Sequence, residues 1–199
     1  MCHSIKEDFF MNISPKTRVL VEGALMIAMA TVLSYIKILN MPQGGAITLE
    51  MIPLVVMGIR HGVKPGCFTG FVHGLLQMIL GFSNVLYCQT LAAQIGCILL
   101  DYLLAFTVLG LAGFFGNMFG KNKLVGYTVG SIIAGLLRFL CSFLSGWLLW
   151  GDYAPEGMNV AWYSLTYNGA YMIPDIIIVA VVVAVLYKTA PKIFNANAQ

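Results

Sequence analysis

The sequence is poor in charged residues. Only 10% of its 199 residues are Asp, Glu, Lys or Arg, whereas 59% are apolar. A water-soluble domain of this size would have difficulty staying monomeric with so few charges, so the composition favours a protein whose solvent is lipid. A helix that crosses roughly 30 Å of hydrocarbon needs about 20 residues, which leaves length for six or seven crossings and no water-soluble domain.

Patterns of catalytic and metal-binding residues are also missing. The histidines at positions 3, 61 and 73 have no carboxylate at ligand spacing, and the five cysteines include no C-x-x-C pair. Residues 116–122 faintly resemble a phosphate-binding loop, but no Ser or Thr follows Lys121. We therefore expect no enzyme activity, no metal, no cofactor and no nucleic-acid partner, and energy for any transport from a partner or an ion gradient.

Long apolar stretches bounded by Gly, Pro and charge predict an all-α integral membrane bundle of six transmembrane helices. The predicted helices are residues 17–37, 48–60, 64–82, 91–115, 124–150 and 160–187. The first run has full membrane length and lacks a small-residue cleavage pattern, so we interpret it as a retained helix rather than a signal peptide. The predicted organisation is a cytoplasmic N-terminal segment at 1–16, a membrane domain at 17–190 and a cytoplasmic tail at 191–199.

The positions of the basic residues predict the orientation. If six helices alternate, one side of the membrane carries most of the Lys and Arg residues outside the spans, and the opposite loops hold only Lys37 with Asp152 and Glu156. The positive-inside rule then places both termini in the cytoplasm. The basic residues on the predicted inner side are Lys6, Lys16, Arg18, Arg60, Lys64, Lys121, Lys123, Lys188 and Lys192.

The first predicted outer loop, residues 38–47, contains Gln43, Gly44 and Gly45 next to a proline. Proline and glycine are typical turn residues, and the two glycines give the backbone unusual conformational freedom. The loop is either a plain connection or a lid over a site within the bundle.

Asp101 lies near the middle of the fourth predicted helix. A charged side chain at mid-membrane costs roughly 2.5 to 3.5 kcal/mol on insertion scales, so its presence calls for a reason. One explanation is an ion pair with Arg138, although Glu22 is the better expected partner for that arginine. The other is a counter-ion for a cationic ligand in a polar cavity, with Gln94 two helical turns away on the same face.

Aromatic residues cluster around the third predicted outer loop. Trp147 and Trp162 fit the aromatic belt found at any membrane boundary. Trp150 and Tyr163 flank the loop opposite Asp101, where aromatic faces attract a desolvated cation by about 2 kcal/mol. Asn168 can both donate and accept hydrogen bonds. Together these groups describe a pocket for a flat, cationic, nitrogen-rich heterocycle.

At these residues the sequence resembles the thiamine-specific S components of energy-coupling factor transporters, over nearly the whole chain. The most specific matching pieces are Met41-Pro42-Gln43-Gly44-Gly45, Leu100-Asp101-Tyr102, Arg138 with Ser145-Gly146, and Tyr153-Ala154-Pro155-Glu156-Gly157 leading to Trp162-Tyr163-Ser164-Leu165 and Asn168. The resemblance implies a six-helix subunit that holds the vitamin near the outer surface. It also implies docking on a module of one transmembrane subunit and two ATPases.

The resemblance assigns roles to particular residues. Asp101 and Tyr102 match an acidic-aromatic pair that contacts thiamine, Trp150 a stacking ring, and Tyr163 and Asn168 polar contacts to the aminopyrimidine. Docking on the partner module is assigned to small residues of the first helix, which match Ala24 and Ala28 here.

One position departs from the family pattern, since Ser142 stands where a ligand-contacting His usually follows Arg138 by four residues. The pocket is then larger, wetter or tuned to a related ligand, unless His73 and Gln77 compensate. Uptake of another B-vitamin heterocycle therefore stays open. A stand-alone secondary transporter is the more distant alternative, because such proteins usually have more helices in repeated halves and no internal repeat is found here.

Overall fold

The computed structural model describes residues 14–42, 44–119 and 122–196 of the chain. Within these ranges the fold consists of helices and one small hairpin. The helices are α1 (Pro15–Tyr35), α2 (Met51–His61), α3 (Val63–Leu80), α4 (Leu91–Met118), α5 (Lys123–Leu149) and α6 (Val160–Thr189). Shorter helical turns are Phe82–Val85, Gly151–Tyr153 and Pro191–Phe194.

Four helices, α1, α4, α5 and α6, are long and apolar enough to cross a membrane. The predicted helical regions agree in position with the six helices, to within a few residues at most ends. The second helix differs, because it begins at Met51 rather than at Thr48 and has 11 residues. The number of membrane crossings and the side that the termini face stay predictions.

Several helices begin where a polar side chain caps the backbone. Ser14 accepts from the Thr17 amide at 3.2 Å, and Thr90 accepts from the Ala93 amide at 3.2 Å. Asn122 and Asn159 cap α5 and α6 in the same manner. Such caps satisfy amide groups that have no partner inside the helix, and each is worth about 1 kcal/mol.

The first predicted outer loop contains a short β-hairpin of β1 (Leu39–Asn40) and β2 (Ala46–Ile47). The strands pair antiparallel, with Leu39 opposite Ile47 and Asn40 opposite Ala46. The all-α prediction did not include this hairpin. It forms because Gly44 and Gly45 take positive φ angles of 94° and 84°, which few other residues adopt.

The helix α4 is not a regular α-helix. Residues Ile98–Leu104 form wider π-helical turns, and Val108–Leu111 form a tighter 3₁₀ turn. The expectation that Gln94 and Asp101 share a face assumed α-helical periodicity, and the π-turns break that periodicity between the two residues. Gln94 instead donates from Nε2 to the Cys88 carbonyl at 3.0 Å.

Glycines bring the centre of the bundle together. A Cβ atom on Gly58 would lie 2.5 Å from the Gly110 carbonyl oxygen, and one on Gly66 would lie 2.6 Å from the Gly58 Cα atom. Backbones of α2, α3 and α4 are therefore in direct contact, which only small residues allow. On the cavity side of this seam, a Cβ on Gly74 would lie 2.6 Å from the Tyr102 carbonyl, so α3 packs against the π-turns.

Candidate ligand-binding cavity

A cavity of about 360 Å³ opens at the end of the bundle where the hairpin lies. We call this the cavity end, and we call the opposite end, marked by Glu22, Arg60 and Asn195, the terminal end. All of the side chains predicted to bind ligand line the cavity. They are Asp101, Tyr102, Ser142, Trp150, Tyr163 and Asn168.

Asp101 lies on the π-turns of α4, where its carboxylate accepts a hydrogen bond from the Ser145 hydroxyl of α5. Among the residues that the structure describes, it forms no ion pair. The expected alternative, an ion pair with Arg138, is wrong. A carboxylate in a cavity without a cationic partner is costly, and a cationic guest relieves that cost.

Arg138 is paired with Glu50 at the floor of the cavity. Its Nη2 donates to Glu50 Oε1 at 2.8 Å, and its guanidinium lies 4.3 Å from the centre of the Phe106 ring. Glu22, which we expected to be the partner of Arg138, lies at the terminal end in contact with Arg60. This expectation failed because Glu50, at the start of α2, lies closer in depth to the middle of α5.

Glu50 is also bound from α3. Gln77 donates to Glu50 Oε2 at 3.2 Å and lines the cavity. His73 is fully buried one helical turn away, with its ring edge against Phe106 and its Nε2 atom 3.4 Å from the Gln77 amide. Gln77 can therefore offer polar atoms to a guest. His73 contacts Gln77 from the side away from the cavity.

Aromatic rings form the walls near the mouth. Trp150 lies with its ring centre 5.6 Å from that of Tyr153, and Tyr163 lies 5.7 Å from Tyr167. All of these rings line the cavity. In contrast, Trp147 and Trp162 point outward and are 48% and 58% exposed, as the aromatic-belt interpretation predicts.

Asn168 joins α5 to α6. Its amide nitrogen donates to the Ser142 carbonyl at 3.2 Å and to the Ser164 carbonyl at 3.0 Å. Its Oδ1 atom accepts from the Tyr171 hydroxyl at 2.8 Å. Both amide hydrogens therefore have partners inside the protein. The side chain can still accept one hydrogen bond from a guest, through the second lone pair of its oxygen.

The hairpin covers one side of the cavity. The Tyr167 hydroxyl donates to the Gly44 carbonyl at 3.0 Å, and a Cβ on Gly45 would lie 2.6 Å from the Tyr171 ring. Gly44 and Gly45 both line the cavity, while Gln43, the third residue predicted for the lid, lies outside the described residues. The sequence analysis did not single out Tyr167 and Tyr171. Their four-residue spacing from Tyr163 places all three tyrosines along one side of α6 and was the signal for them.

The two small residues predicted for docking lie on the outer surface. Ala24 and Ala28 are exposed, whereas Gly23 and Ala30 of the same helix face the bundle. Large apolar side chains surround the alanines on this surface, including Leu25, which is 60% exposed. The face is therefore open to lipid or to another helix.

Comparisons with known proteins identify the family. The sequence profile described as thiamine transporter protein (Thia_YuaJ) matches residues 20–195. The chain is 36% identical over 197 residues to the thiamine transporter ThiT of Bacillus subtilis strain 168, covering 94% of this chain and 99% of the relative. It is 34% identical over 188 residues to ThiT of Lacticaseibacillus paracasei, covering 90% of this chain and 91% of the relative.

A solved structure agrees with these sequence matches. ThiT from Listeria monocytogenes superposes with a TM-score of 0.75 at 29% identity, over 92% of this chain and all of that structure. Bacterial relatives and membrane-length apolar helices together make the chain a multi-pass protein of the bacterial plasma membrane. By profile, sequence and structure, the chain belongs to the thiamine transporter protein family.

Proposed function

We propose that this chain is the substrate-binding S component of an energy-coupling factor importer and that it captures thiamine in the cavity described above. The observation that carries the proposal is Asp101, a carboxylate without an ion pair among the described residues, in a cavity walled by aromatic rings. Thiamine has a permanently charged thiazolium ring and a flat aminopyrimidine. A cation, aromatic surface and hydrogen-bonding nitrogens are the features that this lining complements.

In the bound state, the roles follow from position. Asp101 offsets the positive charge, Trp150 and Tyr163 cover the flat rings, and Tyr102 and Ser142 border the polar part of the guest. Asn168 contributes its remaining oxygen lone pair and keeps α5 and α6 at the correct separation. The hairpin at Gly44 and Gly45 closes the mouth.

Titration of the detergent-purified protein with thiamine tests this proposal. Quenching of tryptophan fluorescence or calorimetry should show tight binding, and Asp101→Asn should weaken it at least tenfold, about 1.4 kcal/mol. Asp152→Asn is the matched control, because it makes the same chemical change on an exposed residue of the outer loop. Equal affinities for the two variants would remove Asp101 from the site.

The ligand can also be identified without choosing a candidate compound beforehand. Native mass spectrometry of protein purified without added ligand should reveal a tightly held molecule by its mass. Ser142 replaces the histidine of the family pattern, so the same experiment, followed by competition with other B-vitamin heterocycles, decides between thiamine and a related compound. A mass other than that of thiamine would reassign the ligand and leave the transporter class intact.

Docking on an ATP-driven module is the second part of the proposal. Ala24 and Ala28 are exposed on α1 at a four-residue spacing that allows close approach of another helix. Ala24→Trp should leave thiamine binding intact and abolish both uptake and co-purification with a transmembrane subunit and two ATPases. Unchanged uptake would exclude this face, and lost binding would indicate a misfolded bundle.

The proposed topology has six spans, with residues 17–190 in the membrane and both termini in the cytoplasm. Alternation of the helices supports it, because Tyr35, Glu50, Leu80, Cys97, Trp150 and Tyr163 all lie at the cavity end. A reporter enzyme that works only in the cytoplasm should be active when it is fused after residue 199. A reporter that works only outside the cytoplasm should be inactive at the same position. The opposite result would show that the C-terminus lies outside the cytoplasm and would contradict the proposed orientation.

A further inference from the structure

A serine hydroxyl contacts the candidate counter-ion from behind the cavity wall. Ser145 lies on the buried side of α5 together with Arg138 and Ser142, which both line the cavity. Ser145 does not line the cavity and is 0% exposed. Its hydroxyl donates to Oδ2 of Asp101 on α4. Ser145 therefore contacts the carboxylate directly but lies out of reach of a guest.

Another serine of the same helix makes a different contact. Ser131 is 1% exposed, and its hydroxyl donates to the Tyr127 carbonyl at 2.6 Å, four residues earlier in α5. Serines inside helices commonly satisfy their hydroxyl group in this local way. The corresponding acceptor for Ser145 would be the Cys141 carbonyl, yet its hydroxyl is directed across to α4. The carboxylate of Asp101 has thus taken the place of the local acceptor.

This hydrogen bond holds the carboxylate and leaves its charge in place. A carboxylate can accept about four hydrogen bonds, and Ser145 occupies one position on Oδ2 of Asp101. A neutral donor does not cancel the negative charge, whereas the charge of Glu50 is paired with that of Arg138 at 2.8 Å. Trp150 follows directly after the last residue of α5. The helix that leads to the stacking ring therefore also holds the counter-ion.

We propose that Ser145 is a positioning residue, which keeps the Asp101 carboxylate facing the guest and on which the preference of the cavity for a cation over a neutral ligand depends. This inference rests on the proposed function, because Asp101 is the proposed counter-ion. Without the hydroxyl, the carboxylate is free to rotate towards water or another donor. Its attraction for a cation then weakens, while the contacts of the cavity with a neutral ligand remain.

The test compares two ligands of nearly the same shape. One is thiamine, and the other is 3-deazathiamine, in which carbon replaces the charged ring nitrogen and the ring is neutral. Calorimetry with the full chain in detergent measures both affinities. In Ser145→Ala, thiamine should bind about tenfold more weakly, as expected for a lost hydrogen bond to a charged group. The affinity for 3-deazathiamine should change by less than about twofold, because that ligand carries no charge for Asp101 to attract.

Ser131→Ala is the matched control. It removes an equally buried hydroxyl from the same helix, but that hydroxyl bonds a backbone carbonyl. Both affinities should stay unchanged in this variant. Ser145→Cys keeps nearly the same size with a weaker donor, so its thiamine affinity should lie between those of the unmodified chain and Ser145→Ala. It also replaces the alanine variant if that variant does not fold, as judged by the unfolding temperature.

A double-mutant cycle shows whether Ser145 acts through Asp101. Asp101→Asn removes the charge, so adding Ser145→Ala should weaken thiamine binding by less than about a further twofold. A residue that only supports the packing of α4 on α5 would instead weaken binding equally in both backgrounds. Additive effects of the two substitutions would therefore overturn the positioning role.

Other outcomes would also overturn it. These are an unchanged or tighter thiamine affinity in both Ser145 variants, equal losses of affinity for the two ligands, and an unmodified chain that does not prefer thiamine to 3-deazathiamine. In all of these cases thiamine still binds, so the proposed function survives. If the unmodified chain binds no thiamine at all, the proposed function fails, and the positioning role fails with it.

Discussion

The two ends of the bundle each hold a partly buried carboxylate, but they surround it with different partners. At the terminal end, Glu22 accepts from Arg18 at 2.9 Å, from Arg60 at 2.5 Å and from His61 at 2.6 Å. At the cavity end, Asp101 accepts from the uncharged Ser145 hydroxyl. The first carboxylate has charged partners within the protein, whereas the second has no ion pair among the described residues, which is why we propose it as the counter-ion of a guest.

Arg60 shows how complete the network at the terminal end is. Its Nη1 atom donates to the carbonyls of Lys192, Ile193 and Asn195, at 3.0, 2.9 and 3.1 Å. One guanidinium thus connects α1, α2 and the C-terminal segment. Beside it, the Phe194 ring stacks 5.7 Å from Tyr127. This end is a structural joint that is held together by charge-assisted hydrogen bonds and ring contacts.

Glu50 is intermediate between the two carboxylates, because it has one arginine partner and lines the cavity. Breaking the Glu50–Arg138 pair should have the largest effect on stability. Arg138→Met leaves Glu50 buried without a cation, so the free energy of unfolding should fall by about 3 to 5 kcal/mol. The double variant Glu50→Gln, Arg138→Met should recover part of this loss, because residue 50 then no longer carries a buried charge without its arginine partner. Thermal unfolding in detergent measures both, and equal destabilisation of the single and double variants would contradict an ion-pair role.

Loss of the Arg60 contacts at the terminal end should lower the free energy of unfolding by less than loss of the Glu50–Arg138 pair. It should also leave the cavity unaffected. Arg60→Ala removes several charge-assisted hydrogen bonds, so we expect a loss of about 2 to 3 kcal/mol with unchanged thiamine affinity. Hydrogen exchange should rise at residues 191–196. Arg18→Ala is the control, because its more exposed contact with Glu22 is worth less than about 1 kcal/mol. A weaker affinity for thiamine in Arg60→Ala would mean that the two ends are coupled.

The smallest expected effect lies at the hairpin. Tyr167→Phe removes the hydrogen bond to the Gly44 carbonyl, worth about 0.5 to 1.5 kcal/mol, and keeps the ring. The hairpin should open more often, so thiamine should dissociate roughly two- to tenfold faster with little change in unfolding temperature. Stopped-flow fluorescence measures the dissociation rate. An unchanged rate would show that the hairpin does not limit release.

The positions of the helices were largely predictable, because long apolar runs between polar caps have few alternatives. The residues around the cavity were also found, through motifs that match a known family. The π-turns at Ile98–Leu104 were not predicted, since this apolar stretch suits an α-helix equally well. The wider turns coincide with the close contact between Gly74 and the Tyr102 backbone, which only the folded bundle brings together.

Charge pairing was the least predictable feature. Glu50 and Arg138 are 88 residues apart in the chain, and depth estimates from helix ends placed Glu22 nearer to Arg138. The short second helix caused this error, because its start lies deeper in the bundle than the predicted boundary implied. The hairpin was missed for a similar reason, since two-residue strands carry almost no periodic signal.

The glycine seam at Gly58, Gly66 and Gly110 also limits how the protein can move. Where backbones touch, there are no side-chain rotamers to absorb a sliding motion, so three helices behave as one stiff block. A conformational change that delivers a guest should then keep α2, α3 and α4 together and move them as one unit.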